Sequence, residues 1–301
     1  MGPLRFVVSL TTNDNDYQVE QAAAAQEAAQ RLGVDVEILY ANNDAIEQSQ
    51  QILKVIQSSS ADKRPAGIVV EPVGTPLASA ARAAVTAGIG WALLNREAEY
   101  ISELRRAGTA PVFRISSDHK EIGRIQGRQF GALLPKGGSV LYIQGPLGDA
   151  ADGRTSGMLE TKPANVTTRM LRGNWTEASA QRAVSSWLGL STSRDEHIDV
   201  VGAQNDSMAI AARRTFEEQS SAAERDKRRD VLFTGCDGLP KTGQEWVHRG
   251  LLKATVVVPA NTGMALEILV KAIQGGVNPR ETAFTEVTSF PSIGVLAGRK
   301  Q

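Results

Sequence analysis

Two short stretches carry the side chains best placed to do chemistry: GAQNDSM at 202–208 and GCDGLP at 235–240. Each follows a short apolar run and precedes a helical pattern, so each stands where a strand gives way to a helix. Reading the other apolar runs in the same way collects Thr11, Asn13, Asn15, Asp16, Tyr17 and Gln18 after the first, then Glu71, then Asn95 with Arg96. Further on come Asp152 and Arg154, then Trp175, Asn205 with Asp206, and Asp237. Amide and carboxylate side chains can bond two adjacent hydroxyls at once, and a charged partner strengthens those bonds. Arg96 offers a planar fork, and Tyr17 and Trp175 offer faces on which the C–H side of a sugar ring could pack. The chemistry suits holding a polyhydroxylated molecule. A plainer reading fits any single position: Asn205, Asp206 and Asp237 as helix N-caps, Asn15 as a turn residue, Trp175 as core. The argument for binding rests on so many strand ends being furnished alike.

The elements that must position these residues alternate. Apolar, β-rich runs at 6–10, 34–40, 67–70, 89–94, 112–115, 139–143, 166–171, 199–203, 231–234 and 254–258 read as strands. Amphipathic stretches at 17–32, 44–58, 76–87 and 120–134 read as helices, the first and third closed by Gly33 and Gly88, and helices fill the later gaps. Near-continuous apolar strands separated by helices indicate an α/β fold with parallel sheets covered on both faces. Ten strands are too many for one comfortable open sheet, so two doubly wound lobes are expected, dividing near 116–118. In such sheets ligands sit beyond the carboxyl ends of the strands, which is where the polar residues above fall. The polar stretches 191–197 and 219–230 read as surface insertions.

Several chemistries are set aside by what the chain lacks. The 301 residues carry 33 basic and 33 acidic side chains, so no basic excess invites nucleic acid. The turn after the first strand, SLTTNDNDY, has no glycine and is not a dinucleotide fingerprint. No GxxxxGK[ST], HExxH or GxSxG occurs, and His119, His197 and His248 are scattered. The expectation is therefore no catalysis, no metal and no cofactor. His197 reads as a loop residue, His248 as lying on an exposed helix face, and the lone Cys236 as a buried structural thiol. The apolar stretch at 6–10 is too short for a signal-peptide core, and no run reaches membrane-spanning length.

The motifs also carry a resemblance. AQNDSMAIAA at 203–212 and TGCDGLP at 234–240 are its most specific pieces. IVVEP at 68–72, LLNRE at 93–97, SSDHKEIGRIQG at 116–127 and KATVVVPANTGMALEILVKAIQGG at 253–276 support it. The chain resembles the type I periplasmic sugar-binding proteins of the ribose-binding kind, relatives of LacI-type effector domains, nearly end to end. The resemblance implies two Rossmann-like lobes, 1–117 with 259–288 and 118–258 with 289–301, gripping a sugar by hinge closure. It places crossovers near 116–118, 258–260 and 288–291, making Ser117, Asp118, Pro259 and Ser289 hinge residues. Family contacts carry over to Asn15, Tyr17, Gln18, Glu71, Asn95 and Arg96 in the first lobe. In the second they carry over to Asp152, Trp175, Asn205 and Asp237, with Val258 at the hinge. Gln18 stands where the family often has Phe, Glu71 where it often has Asn, and Asn95-Arg96 where it often has Asp-Arg. The carboxylates Glu71, Asp152 and Asp237 against Arg96 suggest a donor-rich ligand: a polar polyol, a cyclitol or an amine-bearing sugar. The implied role is a monomeric receptor outside the cytoplasm that hands its solute to an ABC permease or chemoreceptor. The alternative is the effector domain of a cytoplasmic regulator, for which no helix-turn-helix precedes the first strand.

Overall fold

The computed structural model describes residues 3–58, 64–74, 77–108, 110–194, 196–219 and 228–298. Residues 220–227 and 195, within the two segments read as insertions, and residue 76, where the third helix was expected to begin, lie outside them. Elements are numbered along the chain. Two compact units are formed, Met1–Ser117 with Ala260–Thr285 and Asp118–Pro259 with Glu286–Gln301.

The first unit is a six-stranded parallel sheet in the order β11-β5-β4-β3-β1-β2. Its strands are β1 (Arg5–Leu10), β2 (Asp35–Tyr40), β3 (Gly67–Val70), β4 (Gly90–Leu94), β5 (Val112–Ser117) and β11 (Thr282–Thr285). Successive side chains on β1 point to opposite faces, as the two-residue period of a strand requires. Val7 packs with Ile68, Val70, Trp91 and Leu93 under α2 (Ala45–Ser58), α3 (Ala78–Thr86) and α4 (Tyr100–Ala107). Phe6, Val8 and Leu10 pack with Val69, Ala92 and Leu94 under α1 (Asp16–Leu32) and α10 (Thr262–Gly275). The alanine face of α1, Ala22, Ala25 and Ala28, lets α10 approach closely. Gly33 ends α1 in the left-handed conformation at φ 66°, taking the cap position expected from the sequence.

The second unit is a four-stranded parallel sheet in the order β7-β6-β8-β9: β7 (Val166–Arg172), β6 (Gly138–Gln144), β8 (Val200–Ala203) and β9 (Leu232–Thr234). α7 (Glu177–Leu188), α8 (Asp206–Gln219) and α9 (Glu245–His248) cover one face through Val184, Trp187, Ala209, Phe216 and Val247. α5 (His119–Leu133), α6 (Asp149–Thr161) and α11 (Ile293–Gly298) cover the other through Phe130, Leu133, Met158 and Leu296. α5 and α6 meet backbone to backbone. A Cβ on Gly157 would strike the Lys120 carbonyl and come within 2.8 Å of the Arg124 amide nitrogen; one on Gly123 would strike the carbonyl of Arg154. Lys120 and Arg124 then reach across to Glu160, at 3.0 and 3.2 Å, on the exposed rim.

β10 (Thr255–Val257) and β12 (Thr288–Phe290) form a separate antiparallel pair, and single bridges from Thr234 to Ala254 and from Asp237 to Val257 set β10 beside β9. The chain passes between the units at 117/118, 259/260 and 285/286. The third passage precedes the expected 288–291. β12 belongs to the second unit because it pairs with β10 and because Gln129 donates to the Ser289 hydroxyl at 3.0 Å. Pro259 likewise stays with the second unit, directly after β10. Ser117 closes β5 with its hydroxyl 2.7 Å from that of Thr285, and Asp118 caps α5 by accepting from the Glu121 amide. Cys236 is fully buried, and His197 and His248 are exposed, the latter edge-on to Phe290.

Candidate functional site

Both sheets reverse their order at one point, between β1 and β3 in the first unit and between β6 and β8 in the second. Crevices at such switch points, beyond the carboxyl ends of the strands, are where open α/β sheets take ligands. The sequence-predicted residues gather at these two places.

In the first unit Glu71 follows β3 and receives a hydrogen bond on each carboxylate oxygen. Gln18 Nε2 donates to Oε2 at 2.9 Å and Asn95 Nδ2 to Oε1 at 3.1 Å, so the switch point is bridged from α1 and from the end of β4. Asn95 Oδ1 accepts in turn from Asn261 at 2.7 Å. Burial pushes the Glu71 carboxyl above the usual carboxylate range; the bonds from Gln18 and Asn95 and the charge of Arg96 pull it back. Arg96 itself is exposed, and Tyr17 is half-buried on the first turn of α1. Asn15 accepts from the Gln18 amide at 2.9 Å, which makes it the N-cap of α1, where the plainer reading had a turn residue.

In the second unit Trp175 follows β7 with its indole against Gly145; a Cβ there would lie 2.6 Å from Cε2 of the ring. The Arg154 guanidinium stands 5.2 Å from the Trp175 ring centroid and donates to the Gln204 carbonyl. Gln204 is fully buried and spans the switch point, accepting from the Gly145 amide at 2.8 Å and donating to the Ala151 carbonyl at 2.9 Å. Asn205 caps α8 by accepting from the Met208 amide and spends its own N–H on the Trp175 carbonyl, both at 2.9 Å. It is at once cap and clamp. Asp237 is half-buried, between Gly235-Cys236 and Gly238. Asp206 is buried, accepting from the Gly238 amide and the Thr255 hydroxyl, each at 2.7 Å. Burial, and then the charge of Asp237, hold its carboxyl well above the ordinary value against those two bonds and against Arg154. Gly235 is required here: a Cβ would run into the Asp206 carboxylate and sit 2.9 Å from its Cα.

The sequence reading weighed Arg96 as the cation of the set. Arg154 is a second one, buried and fixed over Trp175, whereas Asp152, two residues earlier, is exposed on the first turn of α6. The signal was available, since both residues follow β6 and only Arg154 is spaced to share a helix face with Gly157 and Met158. Val258 is buried, its amide donating to the Asp237 carbonyl at 2.9 Å. Among the described residues five non-glycine residues have positive φ: Asn42, Asn43, Asn95 (54°), Trp175 (61°) and Asp237 (105°). Three of these are residues the sequence singled out for binding. A left-handed backbone is tolerated by Asn but is an outlier for a bulky side chain, and such outliers cluster at functional sites. Among the described residues no group of His, Cys, Asp and Glu converges as a metal ion would need, and no helix is long and apolar enough to cross a membrane.

A D-apiose import binding protein of Paraburkholderia graminis is 28% identical over 256 residues, 83% of this chain and 74% of that protein. The D-allose-binding periplasmic protein of Escherichia coli is 26% identical over 280 residues, 90% and 85% of the two chains. Among solved structures, an ABC transporter periplasmic solute-binding protein from Actinobacillus succinogenes with bound D-allose superposes with a TM-score of 0.79 at 21% identity, over 95% and 96% of the two chains. The profile of the periplasmic binding protein domain matches residues 6–276, and the chain belongs to that family.

Proposed function

We propose that this protein is the solute-binding receptor of an ABC importer for a sugar or a sugar-like polyol, acting outside the cytoplasm as a monomer that delivers its ligand to a membrane permease. The observation that carries this reading is the positive-φ backbone at Asn95, Trp175 and Asp237, three strand ends whose side chains are an amide, an aromatic face and a carboxylate. Relatives that carry D-apiose and D-allose supply the substrate class. Within the first unit Asn95, Glu71, Gln18 and Arg96 are the proposed contacts; within the second, Trp175, Arg154, Asn205 and Asp237. No residue here is assigned to bond breaking, and the bound sugar is expected to be recovered unchanged.

The test is thermal denaturation with pentoses, hexoses, inositols and amino sugars, D-apiose and D-allose included. A ligand at a hundred times its dissociation constant adds about 2.7 kcal/mol, which is readily seen as a rise in Tm. At least one sugar or cyclitol should give that rise. Trp175→Ala and Asn95→Ala should each weaken it by about 10- to 100-fold in affinity, as loss of 1.5–3 kcal/mol implies. A panel that leaves Tm unmoved, or a sugar that binds both variants as well as the parent, would sink the assignment.

A further inference from the structure

We propose that Gln21 and Asn261, neither of which is placed to touch the ligand, are positioning residues that act through Asn95 to hold Glu71 as an acceptor on both oxygens, so that the ligand group met by Glu71 must be a donor, a hydroxyl or an ammonium. The proposal rests on the reading of this chain as a sugar receptor for its ligand class, but not for the relay itself.

The direction of the relay is set by main-chain groups that can only donate. Gln21 Oε1 accepts from the backbone N–H of Asn261 at 2.9 Å and of Thr262 at 3.1 Å, so that end of its amide is the oxygen and Nε2 faces Asn261 Oδ1 at 2.8 Å. With its oxygen so engaged, Asn261 turns Nδ2 to Asn95 Oδ1 at 2.7 Å, and Asn95 turns Nδ2 to Glu71 Oε1 at 3.1 Å. A second arm begins at the Thr11 backbone N–H, which donates to Gln18 Oε1 at 3.2 Å and so points Gln18 Nε2 at Glu71 Oε2, 2.9 Å away. Two arms anchored on backbone donors converge on one side chain and both arrive as donors. An amide at position 71 would meet one of them with its own N–H. Gln21 and Asn261 are fully buried, so no solvent stands by to repair a reversed bond. Each oxygen of Glu71 keeps further acceptor capacity and no proton to give. A ligand carboxylate or phosphate oxygen placed against either Glu71 oxygen meets another acceptor. Arg96 is the charged neighbour whose field is felt at Glu71, and it is exposed.

The relay can be reversed on purpose. N261D keeps an oxygen for Gln21 but sets a second one against Asn95, whose amide must turn over and present its own oxygen to Glu71. E71Q alone sets an N–H against the N–H of Asn95 or Gln18. Combined, the introduced amide at 71 donates to the turned Asn95, which donates to the introduced carboxylate at 261, and every group is again paired. Each single variant is expected to lower Tm by about 4–8 °C, and the double variant to lose less than either. Losses that merely add would overturn the relay whatever the ligand is. Calorimetric titration of the parent with D-allose, D-glucosamine and D-galacturonate tests the selectivity. The neutral or the cationic sugar should bind at least about 100-fold more tightly than the acid, and the double variant should not regain it although its stability returns. Equal binding of galacturonate overturns the donor rule. Cooperative recovery in the cycle, with none of these three and none of the wider sugar and cyclitol panel bound, overturns the sugar reading and the selectivity drawn from it, and leaves the relay standing.

Discussion

Gly157→Ala should destabilise the second unit by about 3 kcal/mol, at the upper end of what one added methyl costs in a well-packed interior. The methyl has nowhere to go. It meets the carbonyl of Lys120 and, at 2.8 Å, the amide nitrogen of Arg124, and both are backbone atoms of α5 held in their own helical bonds. α6 must therefore move as a whole, against the Lys120 and Arg124 bonds to Glu160 that tie its far side to α5. Those bonds are exposed and add little to the resistance; the closeness of the backbones supplies it. For a unit of this size the loss corresponds to a fall in Tm of roughly 6–12 °C. Because α6 also carries Arg154 to its place over Trp175, ligand affinity should fall with stability. Gly294→Ala, on α11 of the same unit, is the matched control: a Cβ there meets nothing within 4 Å, and the substitution should be neutral or stabilising by up to about 1 kcal/mol. Equal Tm values for the two variants would show that α5 and α6 are not held by backbone contact.

The same helix pair shows what was and was not legible in the sequence. Buried parallel strands such as IVV and VLYI declare themselves by unbroken apolar character, and the residues just after them could be collected without any structure. That was enough to gather Glu71, Asn95, Trp175, Asn205 and Asp237. β11 and β12, reading TAFT and TSF, are short, half-exposed and polar, so no apolar run marks them, and the third passage between units was expected too late. The glycines at 123, 127 and 131, four apart along one helix, were a readable sign of close approach by a neighbour. The partner of a buried amide is different in kind. Gln21 and Asn261 lie 240 residues apart and meet because α1 and the start of α10 pack side by side on one face of the sheet. Nothing in the spacing of either residue announces that, and it is why Glu71 looked like an uncompensated carboxylate when its oxygens are each bonded.

Asp206→Ala should cost about 2–4 kcal/mol near neutral pH, because it strands the Gly238 amide and the Thr255 hydroxyl in a buried place, each at about 1–3 kcal/mol, while also removing a poorly solvated charge. Asp206→Asn should cost much less. The carboxamide oxygen can still accept from Gly238, and its N–H can donate to Thr255, whose hydroxyl is free to exchange roles. Protonated Asp206 has the same donor and acceptor pattern as that amide, so taking up a proton costs it no hydrogen bond. Glu71 lacks this freedom, since both of its partners are amides of fixed direction. The sign for Asp206 follows from its raised value. The folded state holds the proton where the unfolded chain has lost it, so its contribution is fully present below the unfolded carboxylate range near 3.9 and is lost as pH rises through the raised folded value. The stability difference between the parent and either variant should therefore shift toward the parent on acidification. Denaturant unfolding of parent, Asp206→Ala and Asp206→Asn at a series of pH values reads this directly. A difference that is flat with pH would mean that Asp206 keeps an ordinary carboxylate's affinity for its proton, and that Arg154 and its two donors offset its burial and the charge of Asp237.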